Sequence, residues 1–290
     1  ILFRFVIQEL LSNLNDVFMN ERAFPSHKKM IMIGIVLLYM LFSGCEEKAD
    51  YRATCTVPIG RLLLSEEWLE LGVVQMNEVQ EKWIRIFNPT QKPVSLSIME
   101  NPEENTGLKV TYHKGKKHVP ATQTFILPGG HVDSLLVTFS PQHDNPYGEF
   151  LYAEYLKCDG EILMTGIKVS GIVVDNFENV LPDKAPRGIL NQDSITFQFD
   201  QGKQVPVAFD VEIRNDGYSN LIVRKVEVTC SCVMTELNDT IIAPGKSSTL
   251  HAKFIPEGLA GSFWQEIRLV TNDPTTPLKT VFIKCHVKEK

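Results

Sequence analysis

Along the second half of the chain, apolar and polar residues alternate with a period of two. Val207, Phe209, Val211 and Ile213 interleave with Ala208, Asp210, Glu212 and Arg214, the signature of a strand with one buried face. Asn215-Asp216-Gly217 then supplies turn chemistry. Ile222 to Val228 predicts a further strand. Leu250, Ala252 and Phe254 alternate again after Ala243-Pro244-Gly245. Gly261 to Val270 and Leu278 to Val287 complete the set, with Asn272-Asp273-Pro274 between them. Short strands at roughly 8–12-residue spacing, separated by turn signals, predict an all-β sandwich. No stretch after residue 45 carries the period of a long amphipathic helix.

The first half repeats this order. Ile84-Arg85-Ile86-Phe87-Asn88-Pro89 matches Val211 to Asp216, and Ile126-Leu127-Pro128-Gly129-Gly130 matches Ile242-Ala243-Pro244-Gly245-Lys246. Leu136 to Pro141 matches His251 to Pro256, and Tyr147-Gly148-Glu149-Phe150 matches Ala260-Gly261-Ser262-Phe263. The offset drifts from 127 to 113 residues, far too long for a solenoid repeat. The fold predicted is all-β, two tandem immunoglobulin-like β-sandwich domains at 65–174 and 193–290, with a linker over 175–192. Leu181-Pro182-Asp183 and Ala185-Pro186-Arg187-Gly188 interrupt any strand in that linker.

The N-terminal pattern is different. Lys28 and Lys29 precede an unbroken apolar run, Met30 to Phe42, which stops at Ser43-Gly44-Cys45. A basic segment, a short apolar stretch and small residues at its end describe a secretory signal peptide. Thirteen residues fall short of the roughly 20 that a membrane-spanning helix needs. The cysteine after Ser-Gly resembles the lipobox of bacterial lipoproteins, in which the cysteine thiol receives a diacylglyceryl group and becomes the new N-terminus. The resemblance implies lipidation at Cys45, an anchor in the membrane and, for 45–64, a lipidated cysteine followed by a tether. Residues 1–44 are read as an over-extended start plus signal peptide, with Met19 a better start than Ile1.

Composition narrows the function classes. Residues 45–290 hold 25 Lys and Arg against 32 Asp and Glu, an acidic balance without the basic stripe that nucleic-acid binding wants. Hydrophobic content of 43% is enough for a packed core. With Cys45 lipidated, Cys55, Cys158, Cys230, Cys232 and Cys285 remain, an odd number in an oxidising compartment.

Asn215-Asp216-Gly217, Thr229-Cys230-Ser231-Cys232, Ile242-Ala243-Pro244-Gly245 and Thr271-Asn272-Asp273-Pro274 together resemble the bacterial family catalogued as domain of unknown function 1573. That family is itself similar to immunoglobulin-like sandwiches of the abnormal-spindle and major-sperm-protein type. The resemblance is close over about 195–287 and looser over 65–173. It implies a fold and a cell-envelope location, and leaves the biochemical role open.

Cys230 and Cys232, one residue apart in a chain read as extended, would point to one side with Val226 and Val228. A redox couple, a soft-metal site for copper or zinc, and a structural disulfide are all open to them. Met234, His251 and His286 could complete a metal site, and Cys285, facing inward, could reach either cysteine. A disulfide within Cys-x-Cys would be strained if strand geometry held the Cα atoms near ~7 Å. Trp83 and Trp264 read as core or sheet-face packing. No phosphate loop, His-Glu-x-x-His helix or Gly-x-Ser-x-Gly elbow occurs, so no catalytic residue is assigned and no cofactor is expected. Asp133-Ser134-Leu135, Asp193-Ser194-Ile195 and Asp239-Thr240-Ile241 resemble an O-glycosylation acceptor used by some bacteria on exported proteins. The same triplets also suit plain strand entry.

The reading that results is a non-enzymatic binding or scaffold module of a Gram-negative envelope. It would be an outer-membrane lipoprotein, periplasmic or surface-exposed, held by its lipid anchor and engaging an envelope protein or glycan. The alternative is a metal-handling or thiol-redox protein using Cys230 and Cys232.

Overall fold

A computed structural model describes residues 51–99, 106–114, 117–119, 124–142, 146–256, 258 and 260–288. The signal run and Cys45 lie outside the described residues. Apart from two short 3-10 helices, the regular structure among the described residues is all β, in two sandwiches.

The first sandwich comprises β1 (Val57–Ile59), β2 (Leu62–Leu64), β3 (Trp68–Gln75), β4 (Gln80–Phe87), β5 (Val94–Met99) and β6 (Leu108–Lys114). It continues through β7 (Lys117–Val119), β8 (Phe125–Leu127), β9 (Val132–Phe139), β10 (Gly148–Cys158), β11 (Glu161–Ile162) and β12 (Ile167–Val174). One sheet runs β1-β2-β4-β9-β6-β7. The other runs β3-β12-β10-β5-β8, with β11 beside β10. The second sandwich comprises β13 (Gly188–Leu190), β14 (Ser194–Asp200), β15 (Val207–Asn215), β16 (Leu221–Val228), β17 (Val233–Leu237), β18 (Ile241–Ile242), β19 (Ser247–Phe254), β20 (Gly261–Thr271) and β21 (Leu278–Lys288). Its sheets run β13-β15-β19-β17 and β14-β21-β20-β16-β18.

The wiring is duplicated. In each sandwich an early strand pairs parallel with the last one, β3 with β12 and β14 with β21. In each, the last two long strands run antiparallel, joined at Gly148↔Val173 and at Gly261↔Val287. Apolar residues of alternating parity fill each interior. Phe139 stacks on Phe150 in the first, with ring centroids 4.3 Å apart, and Phe254 stacks on Phe197 in the second at 5.8 Å.

A buried asparagine at the end of β4 and β15 explains why both copies carry one. Asn88 Nδ2 donates to the carbonyls of Lys92 (2.8 Å) and Leu127 (3.1 Å). Asn215 Nδ2 donates to those of Ser219 and Ile242, both at 2.8 Å. Each backbone carbonyl then accepts from a left-handed glycine, Gly130 or Gly245. The contacts equate Leu127 with Ile242 and Gly130 with Gly245, so the true register here differs by one residue from the Pro-Gly match read in the sequence. Burial decides it: Leu127 and Ile242 are both interior.

Two segment boundaries also move. The supposed tether to residue 64 is partly core, since Ile59, Leu62 and Leu64 are fully buried and β2 pairs with β4. The supposed linker ends in β13, which pairs with β15. Residues 185–187 are stitched to the Asn215 turn, whose Asp216 and Tyr218 amides donate to the carbonyls of Arg187 (2.7 Å) and Ala185 (2.9 Å). A Cβ on Gly217 would lie 2.4 Å from the Arg187 nitrogen, so only glycine admits that approach.

The Asn272-Asp273-Pro274 turn clamps β13 from the other side. Asp273 and Lys279 form a buried pair at 2.9 Å, with side chains 0% and 6% exposed. The carboxylate also accepts from the Gly188 amide (3.0 Å) and from Thr275 Oγ1 (2.7 Å). Burial alone would raise the Asp273 pKa, but the hydrogen bonds and charge of Lys279 and the Thr275 and Gly188 donors bring it down to about 2.

The sandwiches meet at a charged seam. Arg224 of β16 grips Asp175, which follows β12, through two nitrogens at 2.9 and 3.1 Å. Tyr147 donates to the same carboxylate and lies under the guanidinium. Glu227 accepts from the Glu149 amide at 3.0 Å, and Arg268 pairs with Glu149. Gly148 at this junction has φ +92°, a left-handed conformation that favours glycine.

Candidate binding face of the second sandwich

Cys230 and Cys232 are joined by a disulfide, with Cα atoms 5.1 Å apart. They lie in the turn between β16 and β17, so the strand parity expected for them does not hold. The turn curls the chain, the Cys232 amide donates to Cys230 Sγ at 3.0 Å, and the Cα separation drops into the ordinary disulfide range. Both cysteines are half-buried, and Cys232 packs on the core. Cys285 is buried and in no disulfide, as are Cys55 and Cys158, so no bond joins Cys285 to the pair. Burial pushes the Cys285 and Cys55 thiols up, which disfavours the reactive thiolate.

The metal partners considered for this site are elsewhere. His251 is engaged with Asp210 across β15 and β19 at 2.7 Å. His286 bonds Ser262 at 2.7 Å on the outer face of β21. Met234 is exposed on β17. Among the described residues no group of three or more His, Cys, Asp or Glu side chains converges.

The three hydroxyl triplets differ in access. Ser134 is half-buried within β9, and its neighbour Asp133 is held by the Tyr112 hydroxyl. Ser194 opens β14 half-buried, whereas Thr240 is exposed in the turn before β18.

The feature that sequence reading passed over is Trp264, which is 68% exposed rather than packed. Its strand β20 runs past the end of β16, whose last residue Val228 sits opposite Ile267. Trp264 pairs with Lys284 on β21, and Lys284 pairs with Thr196 on β14. Ser262 with His286, and Glu266 with Phe282, form the neighbouring rungs. These outward residues border an open cleft of about 620 Å³ whose lining is Thr196, Ser262, Trp264, Phe282, Lys284 and His286, floored by Phe263 and Cys285. Thr229 joins the disulfide turn to this sheet, its Oγ1 donating to Gln265 Oε1 at 3.0 Å and accepting the Glu266 amide at 2.9 Å. The signal in sequence was the break of alternation at Phe263-Trp264, where adjacent aromatics cannot both face inward.

Comparison with known proteins bears on fold. A crystal structure of a protein of unknown function from Porphyromonas gingivalis W83 superposes with a TM-score of 0.56 at 18% identity, covering 78% of this chain and all of that one. The ASH/PapD-like domain 7 of human CEP192 aligns at 0.29 and 12% identity, over 42% of this chain and 91% of that domain. WR4, a C. elegans MSP family member, aligns at 0.26 and 9%, over 39% and 98%. No curated protein matches. Residues 190–287 match the family described as Protein of unknown function (DUF1573), so the second of the two sandwiches is a DUF1573 domain.

Proposed function

We propose that this chain is a non-catalytic binding or scaffold protein of a Gram-negative cell envelope, lipid-anchored through Cys45, whose second sandwich presents its outer sheet face to an envelope partner. The observation that carries the reading is the exposed Trp264 on regular strands. An indole on a rigid sheet face, bordered by Thr196, Phe282, Lys284 and His286 in one cleft, is the kind of side chain that anchors binding interfaces. The absence of catalytic sequence motifs and the two-sandwich architecture support binding over chemistry. Sedimentation with envelope fragments tests it. Residues 46–290, which lack the lipidated cysteine, co-sediment, and Trp264→Ala lowers the bound fraction severalfold. Recovery entirely in the supernatant refutes the reading. Cys45→Ala abolishes fatty-acid labelling and leaves an unprocessed precursor, and equal labelling of variant and wild type refutes the anchor.

A second reading, thiol-redox or soft-metal handling, draws on the half-exposed position of the Cys230–Cys232 disulfide. Thiol titration across a series of redox buffers, with elemental analysis of the reduced protein, separates it from the first. A pair that stays oxidised under cellular reductants, without bound metal after reduction, rules it out.

A further inference from the structure

We propose that the Trp264 shelf binds a carboxylate-bearing sugar ring, as a segment of an acidic polysaccharide lying along β20 and β21. The inference rests on the reading of this chain as a binding module and names its ligand class.

The polar groups of the shelf are donors in want of acceptors. Among the described residues Trp264 makes no hydrogen bond and Lys284 no ion pair, although the two are Cα partners on adjacent strands. The carboxylate on the next rung, Glu266, is engaged by Arg268 at 2.7 Å, so it does not neutralise the lysine. His286 spends Nδ1 on Ser262 and keeps its other ring nitrogen. An indole N–H only donates and an ammonium only donates, so the matching ligand is rich in oxygen acceptors and anionic.

The first sandwich carries a related face whose Trp68 is also exposed, at 54%, but whose polar groups are engaged. There Trp68 Nε1 donates to Ser170 Oγ at 2.7 Å. Lys168 lies over its ring at 5.7 Å and pairs with Glu67 at 3.8 Å. There the indole N–H has an internal acceptor and the ammonium lies within ion-pair reach of a carboxylate. On the second sandwich the same elements, tryptophan and lysine on the outward face of the equivalent sheet, stay open.

Geometry selects a ring over a side chain. Neighbouring strands stand about 4.8 Å apart, so Trp264 and Lys284 rise side by side from the sheet, their bases separated by about the width of a pyranose. A pyranose can lay its C–H face on the indole while a ring carboxylate meets Lys284 in a charge-assisted bond. Its hydroxyls reach Thr196 and His286. An acidic peptide carries its charge on a flexible stem and has no flat apolar face beside it. The cleft is open along the strands, which suits a polymer lying sideways. A small ligand instead seeks a pocket that buries most of its surface.

Calorimetric titration of the detergent-solubilised full-length protein with trigalacturonate provides the test, with its fully methyl-esterified form as the uncharged control. The acid binds, and esterification weakens it at least tenfold. Trp264→Ala and Lys284→Gln each weaken the acid at least tenfold, and Lys284→Gln removes the preference for acid over ester. Trp83→Ala, on a different sheet, leaves binding unchanged, and circular dichroism confirms that each variant is folded. Undetectable binding of trigalacturonate at millimolar concentration overturns the proposal. So do equal affinities for acid and ester, or binding undiminished in Trp264→Ala. Tight binding of 2-naphthoate alone reassigns the shelf to aromatic acids and equally overturns it. Failure here with Trp264-dependent sedimentation intact rejects the ligand class and leaves the binding-module reading standing. Loss of both rejects the two together.

Discussion

Replacing Lys279 with Met should destabilise the second sandwich in a manner that depends on pH, because it strands a buried carboxylate. Asp273 is wholly buried, and among the described residues Lys279 is its only cationic partner at hydrogen-bonding distance. Methionine fills the space of the lysine stem but leaves the negative charge with neutral donors alone, the Gly188 amide and the Thr275 and Thr276 groups. Removing one partner of a buried ion pair costs about 3–5 kcal/mol. In the wild type Asp273 titrates near 2 instead of 3.8. A depressed carboxyl contributes stability that is fully present above its unfolded pKa and lost as pH falls through the folded one. At about 1.4 kcal/mol per pKa unit, wild type should lose about 2 kcal/mol between pH 5 and 2. In Lys279→Met, burial is no longer offset by a cation, so the carboxyl shifts upward and is neutral at moderate acidity. The stability gap between the two proteins is therefore widest at pH 7 and narrows as pH falls. It narrows first as the raised carboxyl of the variant protonates and then, below about pH 4, as the wild type loses its own contribution. Urea unfolding followed by circular dichroism at pH 7, 5 and 3.5 measures it. A gap that is constant over this range, or below about 1 kcal/mol at pH 7, refutes the reasoning.

Three further outcomes follow from contacts described above. Reducing the Cys230–Cys232 disulfide, or replacing both residues with Ser, should cost only about 1–2 kcal/mol, because closing so short a loop removes little chain entropy. A loss above 4 kcal/mol in urea unfolding would show that the turn does more than this. Asn88→Ala and Asn215→Ala each orphan buried carbonyls and amides in a different sandwich, at about 1–3 kcal/mol for each group left unpaired. Each should lower the melting temperature, and a melt unchanged in either variant contradicts the shared role. If the Asp-hydroxyl-apolar triplets are glycosylated in the native host, the exposed Thr240 is modified ahead of Ser134 and Ser194. Intact mass of Thr240→Ala protein still carrying every wild-type sugar increment disproves that order.

The sequence by itself determined the strands, their duplication and the class of fold. Period-two alternation is a local property, and residues such as Val211, Ile213, Leu250 and Phe254 can satisfy it only by facing one interior. It also marked Asn88 and Asn215 as equivalent, because both follow the same alternating strand. Tertiary structure decided what depends on partners distant in the chain. The interior role of Leu62 and Leu64 comes from pairing with β4, some 20 residues on. The fate of the cysteines turned on a bend that lifted Cys230 and Cys232 out of strand parity while Cys285 stayed in the core. Trp264 became a surface feature because Phe263, not Trp264, took the inward side of β20. Alternation tells which residues share a face. Which of two faces is covered depends on which one the second sheet packs against, and that is fixed only when the sheets assemble.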